Sequence, residues 1–542
     1  MKNQILSMGA LAGAAVITFS ITPLIIRMAR HQLLLDWPSA RKLHKAPIPA
    51  LGGVAILLGL ICGSLTYGIA FGFDQFFSFF QEQHHLALIV PCAIIFTVGL
   101  IDDVFGLSPA ARILAETVAV SFLMMPATQG GYIIENIANP LGGEPIYLGL
   151  LAYPITLLWF IGITNAFNLI DGIDGLMSTV ALSTALGCAG VAYVGGRQAS
   201  MVLCLALGGS LIGFLPWNFH RARIFLGDAG SLLVGFTLAA LALHVCRQPE
   251  ADGAISMIPL VLLCAVPIME TLLTIARRHL SGQPYFSADI GHIHHVLLQK
   301  GFSTPKAVGI LGFIQFFLSS ITVVGFWQVA KFQWESTQIL IPLFVIIICM
   351  GCFISWLGYL ELKVAWDRIH RILFLTRNPH YEDAFALLRA GRIIRESADA
   401  QQIQNRLRVA TQEGHLLLLA IELSPLGKTY LRTDSAPQEY NNPTAKSLLP
   451  TVQPQASWVF SCHALDKQGT EESTMVLITY RIPICGPRGF YGWLTTALTH
   501  KVDARPPSMQ EVRRYLIFPM VATLESLPNI DSSSSPPPST RS

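Results

Sequence analysis

Five aspartates stand where apolar runs meet short polar loops: Asp102 and Asp103 after the run 86–101, Asp171 and Asp174 in NAFNLIDGIDGL, and Asp228 in FLGDAGSLLVG. Desolvating a carboxylate at the end of a membrane-length segment is costly, so packing alone does not put one there. Neighbouring carboxylates repel unless a cation or a proton lies between them, and hard oxygen ligands of this kind suit Mg²⁺. Acids drawn from several segments to one membrane face therefore predict a site for a divalent cation and a phosphate. The structural alternative is helix capping, which Asp also favours.

Other groups fit the same chemistry. Asn165, Asn168, Asp171 and Asp174 recur every three residues, a spacing that lines one face if the segment is helical. Gly172 and Gly175 leave room for a backbone or ligand, although a wet loop would also hold such residues. Asp228 is followed by Gly230 and Ser231 at the start of a span. Backbone N–H groups there favour anions, and Asp228 is placed to bring a metal to the same phosphate, or else simply to cap the helix. Phe225 is either a base-stacking ring or an interfacial anchor. In GHIHHVLLQKG, His292, His294 and His295 suit zinc or a pyrophosphate. No cysteine adjoins them, which favours the pyrophosphate. RKLHKAPIPALGG (41–53), with Lys42 and His44, is either an anion-binding loop or an ordinary basic loop.

These groups need a membrane scaffold. Hydrophobic residues make up 52% of the 542-residue chain and charged residues 13%, although the last third reads as ordinary soluble sequence. The first two thirds must then be far more apolar than a water-soluble domain. Apolar runs near 5–26, 51–73, 87–101, 112–126, 147–165, 176–194, 200–216, 229–246, 254–276, 307–330 and 338–360 predict an all-α polytopic membrane protein with about eleven transmembrane helices. The first run reads as a span rather than a cleaved signal. The cysteines, mostly within apolar runs and without a CxxC pair, read as small buried hydrophobes. A net charge of +3 is too small to suggest nucleic acid.

Lys and Arg concentrate in alternate loops, including Arg30, Arg41, Lys42, Lys45, Arg112, Arg221, Arg223, Arg277, Arg278, Lys300 and Lys306. That side is expected to be cytoplasmic, with all the acidic motifs and the C-terminal tail. Residues 127–146 read as a small hairpin on the opposite face. The expected domains are 1–363 in the membrane, a soluble cytoplasmic α+β domain over 364–530, and a disordered tail over 531–542. In the soluble part, helices are expected over 364–400, 401–413 and 509–527, with strands at 416–423, 457–465 and 474–484.

Taken in order, RKLHKAPIPALGG, GLIDDVFGLSP, NAFNLIDGIDGL, FLGDAGS and HIHH resemble the polyprenyl-phosphate N-acetylhexosamine-1-phosphate transferase family, over roughly residues 20–325. The likeness is nearest to the branch that transfers N-acetylglucosamine 1-phosphate to undecaprenyl phosphate. It implies a bacterial inner-membrane enzyme that takes a UDP-N-acetylhexosamine and undecaprenyl phosphate, uses Mg²⁺ (with Mn²⁺ as substitute) and releases UMP; it also allows a homodimer. Asp102 and Asp103 match the catalytic acidic pair, and Asp228 the main metal ligand. Asn168, Asp171 and Asp174 match the loop that meets the nucleotide and shapes the metal site. Asn218 and Phe225 fall where muramyl-pentapeptide relatives hold uracil, and His292, His294 and His295 match the sugar- and pyrophosphate-binding histidines. Ile293 interrupts the histidine run, which favours the N-acetylhexosamine branch over the muramyl-pentapeptide one. Ala50 stands where the family often has Arg before the glycine pair, removing one phosphate contact. The C-terminal part lies outside the resemblance and is only loosely similar to GAF-like sensory modules.

Rival classes are weaker. Transporters carry their acids near the bilayer centre and show inverted repeats. A membrane sensor would lose everything with residues 364–542. A prenyl-diphosphate enzyme would need a DDxxD pattern, which is absent here.

Overall fold

The computed structural model of the chain describes residues 2–31, 35–36, 47–82, 84–125, 132–140, 143–248, 253–280, 291–332, 340–359 and 362, and the strands 418–423, 458–461, 475–486 and 489–501. The chain divides into two compact units, Met1–Ile275 with Ala288–Phe353, and Ala276–Ser287 with Ile354–Ser542.

The helices are α1 (Lys2–His31), α2 (Gly52–Phe71), α3 (Phe73–Glu82), α4 (Ile89–Phe105), α5 (Pro109–Leu123), α6 (Ala152–Leu169), α7 (Leu176–Val194), α8 (Gln198–Asn218), α9 (Gly227–Val245), α10 (Met257–Leu263), α11 (Ala265–Leu280), α12 (Ile293–Gln299), α13 (Thr304–Phe332) and α14 (Leu340–Leu357). Helix α9 is apolar on every side, as a helix surrounded by others must be, and 94% of its span is buried. Small residues let the remaining helices close in. A Cβ at Gly209 of α8 would lie 2.1 Å from the Leu11 carbonyl oxygen of α1. One at Gly63 of α2 would lie 2.6 Å from the Ala14 Cβ, so α1, α2 and α8 touch nearly backbone to backbone.

Among the described residues, eight helices are long and apolar enough to cross a membrane, or nine if one bent pair counts as a span. The expected count of eleven is not confirmed among these residues. The run at 112–126 yields α5, fifteen residues long, started by Pro109 behind the cap Ser108, whose hydroxyl accepts from Ala111 N. The run at 254–276 is bent by 85° between α10 and α11. Pro267, which cannot donate to the ladder, lies in the first turn after that break. Groups freed by the break find partners on neighbouring helices. The Gln315 amide donates to the Leu262 and Leu263 carbonyls at 3.2 and 2.8 Å and accepts from Val266 N at 3.0 Å, and the Thr184 hydroxyl donates to Leu263 at 2.9 Å. The last run, 338–360, lies partly outside the described residues.

Helix α3 had no counterpart among the expected spans. Phe76 and Phe80 are buried while Phe73 and Phe77 are exposed, with the exposed Asp74 next to Phe73. The expected hairpin is present as β3 (Asn136–Ile137) against β4 (Ile146–Tyr147), antiparallel. It extends to β6 (Ala254–Ile255), which lies parallel to β3, and then to β5 (Arg247–Gln248), giving the order β4-β3-β6-β5.

In the second unit the described strands are β7 (Leu418–Leu423), β8 (Trp458–Ser461), β9 (Met475–Gly486) and β10 (Gly489–Lys501), an antiparallel sheet in the order β8-β7-β10-β9. β10 was not expected from the sequence. The helices expected over 364–413 and 509–527 lie outside the described residues.

Candidate active site

The site forms where helix ends gather around the N-terminus of α9. That terminus has no cap of its own, because Leu226 stands at the cap position. Its N–H groups still need acceptors. Asp103, from the end of α4, supplies them: Oδ1 accepts from Asp228 N at 2.7 Å and Oδ2 from Ala229 N at 3.0 Å. Two glycines permit this approach. A Cβ at Gly99 would lie 2.5 Å from the Ala229 Cα, and Gly227, at φ +75°, would drive one to 2.7 Å from the Asp103 carboxylate. The two amides expected to greet a phosphate are thus already held by protein, a correction to the simple anion-binding reading of FLGDAGS.

Asp102 points elsewhere. It accepts from Leu107 N at 2.6 Å and from Arg112 Nη1 at 3.0 Å. The same Arg112 nitrogen lies 3.5 Å from Asp228 Oδ1, so one guanidinium spans both acids. Asn168 Nδ2 donates to Asp228 Oδ1 at 2.5 Å and to Ser231 Oγ at 2.9 Å. Asp228 is therefore a first-turn residue held from its side chain, not the cap of α9.

The three-residue repeat does not form one helical face, because α6 ends at Leu169 and the segment turns through Gly172 and Gly175 (φ +75°). Its members go to separate partners. Asn165 Nδ2 donates to Glu116 Oε2 at 2.6 Å, Asn168 reaches Asp228, and Asp174 Oδ2 accepts from Ala222 N at 3.0 Å. Asp171 is half-buried; burial, then the charges of Asp228 and Asp174, push its carboxyl up to about 7.

The histidine motif meets this turn. A Cβ on Gly172 would fall 2.4 Å from His294 Nε2, so imidazole and backbone are already in contact. His294 is 1% exposed, and burial, then His295 and His292, hold its pKa well below the usual histidine range, so the ring is neutral. His292 stacks on His294 with ring centroids 5.5 Å apart, and its Nδ1 lies 2.8 Å from Glu270 Oε1. His295 lies 4.4 Å from His294 by ring centroids. Asn218 is buried, accepting from Ser178 Oγ at 2.9 Å and donating to the Ile224 carbonyl at 3.1 Å. Phe225 is half-buried, and its backbone pairs with Pro49 and Gly52. Lys42 and His44 lie outside the described residues.

Among the described residues no three His, Cys, Asp or Glu side chains converge to cage an ion. Mg²⁺ does not need a cage, since it is commonly held by one or two carboxylates with substrate phosphates and water. Asp228 and the electrostatically coupled Asp171 fit that demand. Three residues were missed as site members: Arg112, taken only as a loop cation, and the buried acids Glu116 and Glu270. Both glutamates carried the signal that exposed the aspartates, an acid within an apolar run.

Residues 85–246 match the family model "Glycosyl transferase family 4". The chain is 36% identical over 331 residues, 60% of its own length and 85% of the other, to a Bacillus subtilis protein named "Probable undecaprenyl-phosphate N-acetylglucosaminyl 1-phosphate transferase". The chain belongs to glycosyl transferase family 4. It is also similar to a family member of Mycobacterium leprae named "Decaprenyl-phosphate N-acetylglucosaminephosphotransferase", 33% identical over 54% of this chain and 77% of that one. A third, of Escherichia coli K12, is named "Undecaprenyl-phosphate alpha-N-acetylglucosaminyl 1-phosphate transferase" and is 29% identical over 55% and 78% respectively. The family model covers α4 to α9, and thus the Asp103–Asp228 and Asn168–Asp228 contacts.

Proposed function

We propose that the protein transfers N-acetylhexosamine 1-phosphate, with GlcNAc 1-phosphate as the first expectation, from a UDP-sugar to undecaprenyl phosphate. An oxygen of the lipid phosphate attacks the β-phosphorus; the bond from that phosphorus to the bridging oxygen breaks, UMP departs with that oxygen, and a lipid-linked pyrophosphoryl sugar remains. The observation that carries this reading is the convergence of two motifs on Asp228 of a third, through Asp103 and Arg112 from one and Asn168 from the other. The names of the relatives supply the sugar and the lipid.

Both reactants are anions, so charge neutralisation and alignment are the main demands on the protein. Asp228 and Asp171 would hold Mg²⁺, or Mn²⁺ in its place, which when bound supplies charge neutralisation of the pyrophosphate. Asp103 fixes the backbone that carries Asp228. Asp102 orients Arg112, whose guanidinium is set to meet a phosphate. Asn168 holds Asp228, and Asp174 steadies the loop at Ala222. His292, His294 and His295 face the sugar and pyrophosphate; Phe225 offers a face to uracil while Asn218 braces the turn beneath it; Lys42 and His44 attract the anionic donor. An inner-membrane site on the cytoplasmic side suits a soluble nucleotide sugar meeting a lipid acceptor, and the C-terminal part, 364–530, is assigned a regulatory role. The test is a donor screen with purified protein, undecaprenyl phosphate and Mg²⁺, read as labelled lipid product. GlcNAc transfer from UDP-GlcNAc is expected; absence of product from every UDP-N-acetylhexosamine would overturn the assignment.

A further inference from the structure

Helix α11 carries an acid that the transfer chemistry does not call for. Glu270 is 2% exposed, yet it is not an orphan. Oε2 accepts from Ile293 N at 2.8 Å, and Oε1 lies 2.8 Å from His292 Nδ1 and 3.4 Å from Thr274 Oγ1. One carboxylate therefore holds both the backbone entry to α12 and the first imidazole of the histidine motif. A carboxylate oxygen only accepts, and Oε2 already accepts from Ile293 N, so the His292 Nδ1–H donates to Oε1. With Nδ1–H donating to Glu270, Nε2 is the nitrogen left for a ligand. Such carboxylate–imidazole pairs set tautomer and orientation together.

We infer that Glu270 is a positioning residue for the transfer reaction: it fixes His292 as the Nδ1–H tautomer and so turns Nε2 toward the anionic donor. The inference rests on the transferase reading above. It also separates the histidines by duty. His294 is neutral, wedged against Gly172, with neither ring nitrogen hydrogen-bonded among the described residues. His292 instead has a carboxylate behind it, so its tautomer and orientation are set by a named partner.

Glu270→Gln tests this with little change of shape. A glutamine keeps one acceptor oxygen for Ile293 N and turns its NH₂ toward Nδ1, which must then accept, moving the ring proton to Nε2. In ¹⁵N-histidine-labelled full-length protein, with the His292 signal assigned by its loss in His292→Gln, the wild type should show Nδ1–H and Glu270→Gln should show Nε2–H. UMP release should fall by about 10- to 100-fold in kcat/KM, the usual range for loss of such a support. Glu270→Asp should restore the Nδ1–H signal and part of the rate. An unchanged tautomer in Glu270→Gln, or turnover within twofold of wild type, would overturn the proposal. The spectroscopic arm needs no turnover, so a wild-type protein that releases no UMP would sink the transferase reading and leave the tautomer result standing. A protein that transfers normally while ignoring Glu270 would do the reverse.

Discussion

Asp103→Asn separates a carboxylate that positions from one that reacts. The side chain accepts two backbone N–H groups at the head of a nearly fully buried helix. Hydrogen bonds to an ionised acceptor are worth about 1.5–3 kcal/mol each, and a negative charge at a helix N-terminus adds about 0.3–1 kcal/mol. Asparagine keeps one oxygen and turns an NH₂ against the other N–H, so one bond is lost and the survivor weakens to about 0.5–1.5 kcal/mol. The net loss is about 3–5.5 kcal/mol. Expressed wholly as misplacement of Asp228, at about 1.4 kcal/mol per decade, it lowers kcat/KM roughly 100-fold to several thousandfold. The assay is UMP release in proteoliposomes at a series of Mg²⁺ concentrations, beside Asp228→Asn. Asp103→Asn should still respond to Mg²⁺ but saturate at higher concentration, whereas Asp228→Asn should stay near background throughout. Turnover of Asp103→Asn within twofold of wild type, or the same flat response as Asp228→Asn, would refute the positioning argument.

Four further outcomes follow from the same geometry. The raised pKa of Asp171, about 7, means that the carboxylate needed by a cation is ionised above that pH and protonated below it, so the apparent Mg²⁺ Kd should rise towards tenfold per pH unit below about 7. Raising a folded-state carboxyl above its ordinary value penalises the metal-free fold as pH climbs from about 4 to 7, so Mg²⁺ should increase Tm more at pH 8 than at pH 6. Gly99→Ala pushes a methyl group into the Ala229 backbone rather than into a flexible side chain; it should separate α4 from α9 and cost at least as much rate as Asp103→Asn, measured in the same assay. Gln315→Leu strands the Leu262 carbonyl and Val266 N–H at the α10–α11 break, at about 1–3 kcal/mol for each buried group left unpaired. Thermal unfolding should show a lower Tm while turnover per folded molecule holds.

Much of the site was legible because acids and amides are expensive in apolar surroundings, so each one marks a reason for its presence. Asp103, Asp171 and Asp228 are read that way from single runs, and they do come to one place. What spacing cannot carry is direction. Asp102 and Asp103 are adjacent, yet one faces Arg112 and the other α9, because successive helical residues point about 100° apart. Asn165 and Asn168 lie on one helix, while Asp171 and Asp174 lie past its end, so an even repeat was mistaken for one face. Glu270 was missed for a different reason: it lies inside the 254–276 run, which reads as one unbroken span unless the bend beside Pro267 is known. β10 was overlooked because GFYGWLTTALTHK mixes glycine, threonine and aromatics without strict alternation, and only its pairing with β7 and β9 makes it a strand.

The end of a buried helix is a physically sensible place to assemble this chemistry. Desolvated N–H groups at the head of α9 demand negative charge, and the helix dipole reduces the cost of supplying it. One carboxylate, Asp103, meets the amides; Asp228 then sits in the first turn, where the helix dipole favours its charge. Asp102, Asp171 and Asp174 raise the negative charge further, against Arg112 and His220 beside them. Such a cluster repels a pyrophosphate. A divalent cation held by Asp228 and Asp171 would reverse the sign of that field and open the cluster to a pyrophosphate, and its binding would favour the ionised form of Asp171, whose carboxyl burial pushes up to about 7.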